Sequence, residues 1–183
     1  MKIKFSLVIL LVLVGQMMFA QGKYITRSGH ISFYSDAKLE KIEAHNYKVT
    51  AAIAAAGDME FSVNMVGFEF EKSLMQDHFN ENYVESTKFP KATFKGKITD
   101  IAKVSFTTDG TYNVNVAGKL TIHGVTKDVK TTGTITVKGG KINANSTFNI
   151  ALSDYGVKVP GDKANSISNS IKIKVDLKDL KAM

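Results

Sequence analysis

The stretch GKLTIHGVTKDV, from Gly118 to Val129, holds the most pointed chemistry in the chain: His123 stands beside Gly124, with Thr126, Lys127 and Asp128 close behind. An imidazole can act as a general base, but it then needs an orienting partner and a nucleophile within hydrogen-bond reach. Nothing nearby in sequence supplies either. His123 falls where one alternating run ends and the next begins, so it reads as a solvated residue at a hairpin tip. The other histidines, His30, His45 and His78, lie on separate elements with no spacing of two or four between any pair. A zinc site without any local pair of ligands is a weak signal, and no metal or cofactor is expected. Nearly all acidic residues fall on outward phases or in turns; Asp154, in SDYG, is the exception. No nucleophile elbow, phosphate loop or dinucleotide fingerprint occurs. No catalytic residue is assigned, and the chain is not expected to be an enzyme.

The elements that would have to position such residues are strands. In SISNSIKIKVDLKDL, Ile167, Ile171, Ile173, Val175 and Leu177 share one face while Lys172, Lys174, Asp176 and Lys178 take the other. The runs KINANSTFNIAL, TYNVNVAGKLTIHG and DVKTTGTITV alternate in the same way. A period of two over so many residues means antiparallel strands with one buried face. Asp109-Gly110 and Gly139-Gly140 read as hairpin turns, and Gly57-Asp58 turns YKVTAAIAA into DMEFSVNMV. GHISFYS makes a further strand, for about eight in a meander. One segment differs: Met75, Phe79 and Tyr83 recur four apart, with Leu74 and His78 beside them. That stripe predicts one helix over about 70–85, of about four turns, ended before Pro90.

Long antiparallel strands leave exposed edges unless the sheet closes, so a barrel is expected, with a sandwich as the competing solution. A barrel of this size is either packed solid or holds one ligand. Gly96, Gly118, Thr131, Gly133, Ala144 and Ser146 fall near mid-strand on the inward phase. Small residues there either leave a hollow or let strands bend round a corner.

The first twenty residues stand apart. Lys2 and Lys4 precede the apolar run FSLVILLVLV, and Ala20 offers a small residue for cleavage before Gln21. This is read as a signal peptide over 1–20, leaving 21–183 as a single domain. The absence of cysteine excludes disulfides, thiolate metal sites and a lipidated cysteine. The formal charge of +7, reduced by the two leader lysines, comes from residues spread singly along strand faces, as a solvated exterior requires. Nucleic acid is therefore not an expected partner. Transient contact with an anionic membrane surface is left open, as is a homodimer.

Two stretches carry a resemblance. HFNENYVESTKFPKATFKGKI (78–98) and the Gly118–Val129 hairpin, with SDYGVKV near the end, resemble the YceI-like family of exported lipid-binding proteins. Two departures from that pattern are Leu152, where members often have arginine, and GHISFYSDAKLEKI, which keeps the Phe of a Ser-x-Val-x-Phe start but loses the rest, including the histidine often carried after it in the first long strand. The resemblance implies a lipocalin-like barrel of eight antiparallel strands with one short helix and a lengthwise apolar tunnel. It also implies a long-chain lipid or isoprenoid ligand and no catalysis as the main role.

The expected function is that of a periplasmic carrier, and the alternative is a solid barrel whose exterior binds an envelope partner. On the inward phase the expected ligand lining is Phe33, Phe61, Val63, Met65, Phe94, Val116, Leu120, Ile135, Phe148, Ile150 and Ile173, with Phe79, Tyr83 and His78 at the tunnel mouth.

Overall fold

A computed structural model describes residues 22–183, so the expected signal peptide lies outside the described residues. The alternating runs form strands β1 (Lys23–Asp36), β2 (Lys41–Ala54), β3 (Asp58–Asn64), β4 (Glu69–Phe70), β5 (Lys91–Ile98), β6 (Gly110–Ile122), β7 (Val125–Lys138), β8 (Lys141–Ala151) and β9 (Ser170–Ala182). All pairings are antiparallel, and the sheet runs β1-β9-β8-β7-β6-β5-β3-β2, closing through a β1–β2 ladder. Eight strands thus close into a barrel, the β7–β8 ladder holding only from Lys138 and Lys141 to Gly133 and Ser146. The two-residue β4 pairs with β2 beyond the end of β3 and prolongs that lane of the wall. At the break between them, buried Asn46 donates from Nδ2 to the Asn64 carbonyl at 2.9 Å and accepts the Lys48 N–H at Oδ1.

Turn chemistry explains two of the hairpins. His123 and Gly124 have φ of 51° and 74°, and Gly139 and Gly140 have 55° and 75°, so both tips have consecutive left-handed residues that match the strand twist. Asp109-Gly110 is not a hairpin turn. Residues 99–109 form a longer connection between β5 and β6, and the Asp109 carboxylate instead accepts the Gly139 N–H at 2.9 Å.

The expected helix is shorter and of two kinds. Helix α1 (Ser73–His78) is followed directly by a π turn over Phe79–Tyr83, where the Val84 N–H reaches back to the Phe79 carbonyl at 2.9 Å. Lys72 before it gives no side-chain cap, and Glu85 at φ 45° ends the turn. This segment lies across one end of the barrel.

The interior is divided. Toward the β7–β8 turn it is filled by Ile53, Ile98, Ile135, Val137, Ile142, Leu177 and Leu180, each 3% exposed or less. Toward the helix a second cluster, including Ile31, Val63, Met65 and Phe68, surrounds open space. The lengthwise tunnel implied by the family resemblance is therefore corrected to a cavity in one half of the barrel, because bulky branched residues fill the other half.

Candidate functional site

Every strand of the barrel contributes to one cavity of about 350 Å³. From β1 comes Phe33, from β3 Phe61 and Val63, and from the turn after it Met65. Phe94 on β5, Val116 and Leu120 on β6, Phe148 and Ile150 on β8 and Ile173 on β9 complete the part of the wall expected from sequence. Ile135 does not reach this cavity. It is 2% exposed within the packed half and borders only a small void of about 30 Å³ beneath the cavity. The alternation assigned its face correctly but not its depth.

Phe79, Tyr83 and His78 stand at the mouth with Met75, so the four-residue stripe faces the barrel. Phe79 packs against Phe33, Phe68 and Phe70 at ring separations of 5.4, 5.6 and 5.1 Å. Phe68 and Phe70 are lining residues that sequence reasoning missed; their spacing of two in GFEFEK was the available signal. Burial, with the Asp162 carboxylate nearby, pushes the Tyr83 phenol above its ordinary value, so it remains a neutral donor. Polar groups collect at this end: Ser35, Glu40, Lys163 and Ser166 border the opening. Their charges are balanced locally, Lys72 bonding Glu40 at 3.3 Å and Lys163 facing Asp162 at 3.8 Å.

The small mid-strand residues serve different ends. Gly96 and Gly118 are cross-strand partners, and the Phe94 ring lies over both. A Cβ at either position would stand 2.5 Å from a cross-strand carbonyl and 2.6 Å from Phe94 Cζ, so these glycines admit both a close strand approach and a ring instead of leaving a hollow. Thr131 and Ser146 do line the cavity. At their level β7 and β8 separate: the ladder runs from the turn only as far as Gly133 opposite Ser146, and Ser146 Oγ donates to the Thr132 carbonyl at 2.7 Å. Above that point the wall has a seam between Thr131 and Phe148.

The histidines correct two expectations. His123 is at a hairpin tip but is not solvated, its side chain being only 14% exposed. Its Nε2 bonds Glu85 Oε2 at 2.6 Å, its Nδ1 faces the Tyr155 carbonyl at 3.3 Å, and Phe89 meets it edge-on at 4.6 Å. The His123 hydrogen bond holds the Glu85 carboxyl below its ordinary value, with Lys88 adding to it and desolvation opposing. This is a tie between the hairpin, the end of the π turn and the segment after β8. His30 and His45 are paired, Nε2 to Nδ1 at 3.0 Å, with Glu43 on the other His45 nitrogen at 3.0 Å and Tyr47 stacked at 4.5 Å from His30. The two histidines are diagonal neighbours on the β1–β2 ladder, where Ile31 stands opposite Asn46 and Ser32 opposite His45. Among the described residues no three His, Cys, Asp or Glu side chains converge as a metal ion requires. Asp154 is exposed on the turn after β8 and does not border the cavity.

Comparison with known proteins adds a family. The description of a YceI-like domain matches residues 17–178. Among solved structures, a polyisoprenoid binding domain from Saccharophagus degradans, implicated in plant cell wall breakdown, superposes with a TM-score of 0.75 at 14% identity, over 88% of this chain and 99% of that one. Burkholderia cenocepacia BcnA gives 0.69 at 20% identity, over 82% and 95% of the two chains. The Campylobacter jejuni YCEI protein gives 0.58 at 18%, over 75% and 84%. At these identities the likeness is one of fold. No match was found among curated proteins.

Proposed function

Starting from the chain's membership of the YceI-like domain family, we propose that this protein is an exported, non-catalytic carrier that holds a long-chain apolar compound, of isoprenoid or fatty type, in its half-barrel cavity. The observation that carries this reading is the cavity itself: about 350 Å³ enclosed by aromatic and aliphatic side chains from every strand, with polar groups gathered at one end. Each methylene moved from water into such a wall contributes about 0.8 kcal/mol, so ten contribute roughly 8 kcal/mol before the cost of lost freedom is subtracted. Binding of this kind needs no reactive residue, which agrees with His123 being committed to Glu85 and Asp154 lying outside the cavity. The Saccharophagus domain, whose name specifies polyisoprenoid binding, supports the isoprenoid class. The leader over 1–20 supports an envelope location, with the mature chain starting at Gln21.

The test is titration of the mature protein with a prenyl alcohol, beside variants that fill the cavity. Leu120→Trp and Ile150→Trp should weaken uptake by at least about tenfold, a loss of 1.4 kcal/mol or more, while keeping a cooperative melt. Full uptake by both folded variants would show that the ligand sits elsewhere. N-terminal sequencing of the exported form tests the cleavage position.

A further inference from the structure

The cavity is blind, and what stops it is a thin partition. Met59, Phe61, Val116, Ser146 and Val175 border both the main cavity and the void of about 30 Å³ beneath it. Below that void stand Ile98, Val114, Ile135 and Leu177, all buried. Polar groups lie at the opposite end, where Glu40, His78, Lys163 and Ser166 surround the mouth. A ligand with a head group and an apolar tail therefore fits in one sense only: tail inward, head group at the rim. The reverse would bury the head group among Met59, Phe61 and Val175 with no charged partner and only the Thr131 and Ser146 hydroxyls, the latter already donating to the Thr132 carbonyl.

We propose that Met59, Val116 and Val175 are the residues that end the ligand's tail, so that the protein selects its ligands by chain length. This rests on the carrier reading above. Of the three, Met59 is unbranched and adaptable, and it separates the cavity from space already present below it. Val116 and Val175 are stiff and fix the rest of the floor. The competing outcome is also built into the wall. A tail too long for the floor could leave sideways through the seam where β7 and β8 part above Gly133 and Ser146.

The experiment is a binding series with prenyl alcohols of increasing length, from two isoprene units upward, on the mature protein. Affinity should climb with each unit and then break, the first over-long member falling at least about tenfold below the rising trend. Met59→Ala should move the break to a longer alcohol by joining the void to the cavity, and Val116→Leu, which adds a single methylene, should move it to a shorter one. Melting curves establish that each variant is folded, and the wild-type series stands without them. A rise with no break would mean that the tail leaves through the seam and would overturn the proposal. So would a break that neither folded variant moves. If no alcohol of any length binds, the carrier reading itself fails, a result distinct from the other two.

Discussion

At the scale of residues, the molecule uses its histidines to hold elements together. His123 binds Glu85 and reaches the Tyr155 carbonyl, joining three segments that are remote in sequence. Because the bond favours the Glu85 carboxylate, the folded-state pKa lies below the ordinary 4.5, and its contribution is present above that value and lost as pH falls through the folded one. Glu85→Gln should thus melt below wild type at about pH 6, with the gap narrowing as pH falls below 4.5 and closing once it passes the lower folded-state value, where Glu85 too has lost its charge. Melting curves across that range check this; a gap that persists in acid would refute it. His30 acts in the same direction at higher pH. Burial, then the neighbouring His45, hold it below 6.5, so its neutral form favours the fold above that value and protonation opposes the fold below it. Neither tie was legible in the sequence. Glu85 is separated from His123 by 38 positions, and His30 meets His45 diagonally across the β1–β2 ladder, a register that the alternation of either strand alone does not fix.

At the scale of elements, strand alternation identified the faces of the barrel because one buried side imposes a period of two on every strand. It could not say how far the packed half extends, since depth depends on the closed ring and not on any one strand. Ile135 belongs to the right face and the wrong depth for that reason. The Met75, Phe79 and Tyr83 stripe was legible, whereas the change from α1 to a π turn within it was not. That turn buries Asn80 Oδ1 without a hydrogen-bond partner among the described residues, so the covering segment is less well satisfied than the barrel beneath it. The Gly96–Gly118 pair has a sharper consequence. Gly118→Ala would drive a Cβ to 2.6 Å from Phe94 Cζ and 2.5 Å from the Lys95 carbonyl, and overpacking of this kind costs about 1–3 kcal/mol. Phe94→Leu should recover part of that loss, so the double variant should be more stable than the sum of the two single changes implies. Denaturant melts of the four chains measure it, and strict additivity would mean that the ring is not what the glycines accommodate.

At the scale of the whole molecule, a closed wall, one packed half and one hollow half make a container with a single polar rim. The packed half, with no cysteine to cross-link it, supplies the floor on which the cavity of the other half stands. A ligand that binds only the folded chain raises stability by mass action, about 2.7 kcal/mol at a hundredfold excess over Kd, so under the proposed carrier role the protein should melt highest when loaded. The most direct test of the central claim is mass spectrometry of the mature protein purified from the envelope of its own host, under native conditions and again after solvent extraction. The account predicts a stoichiometric added mass that extraction releases as a long-chain isoprenoid or fatty compound. An apo mass from the native preparation, with no uptake of such compounds when they are supplied, would contradict it.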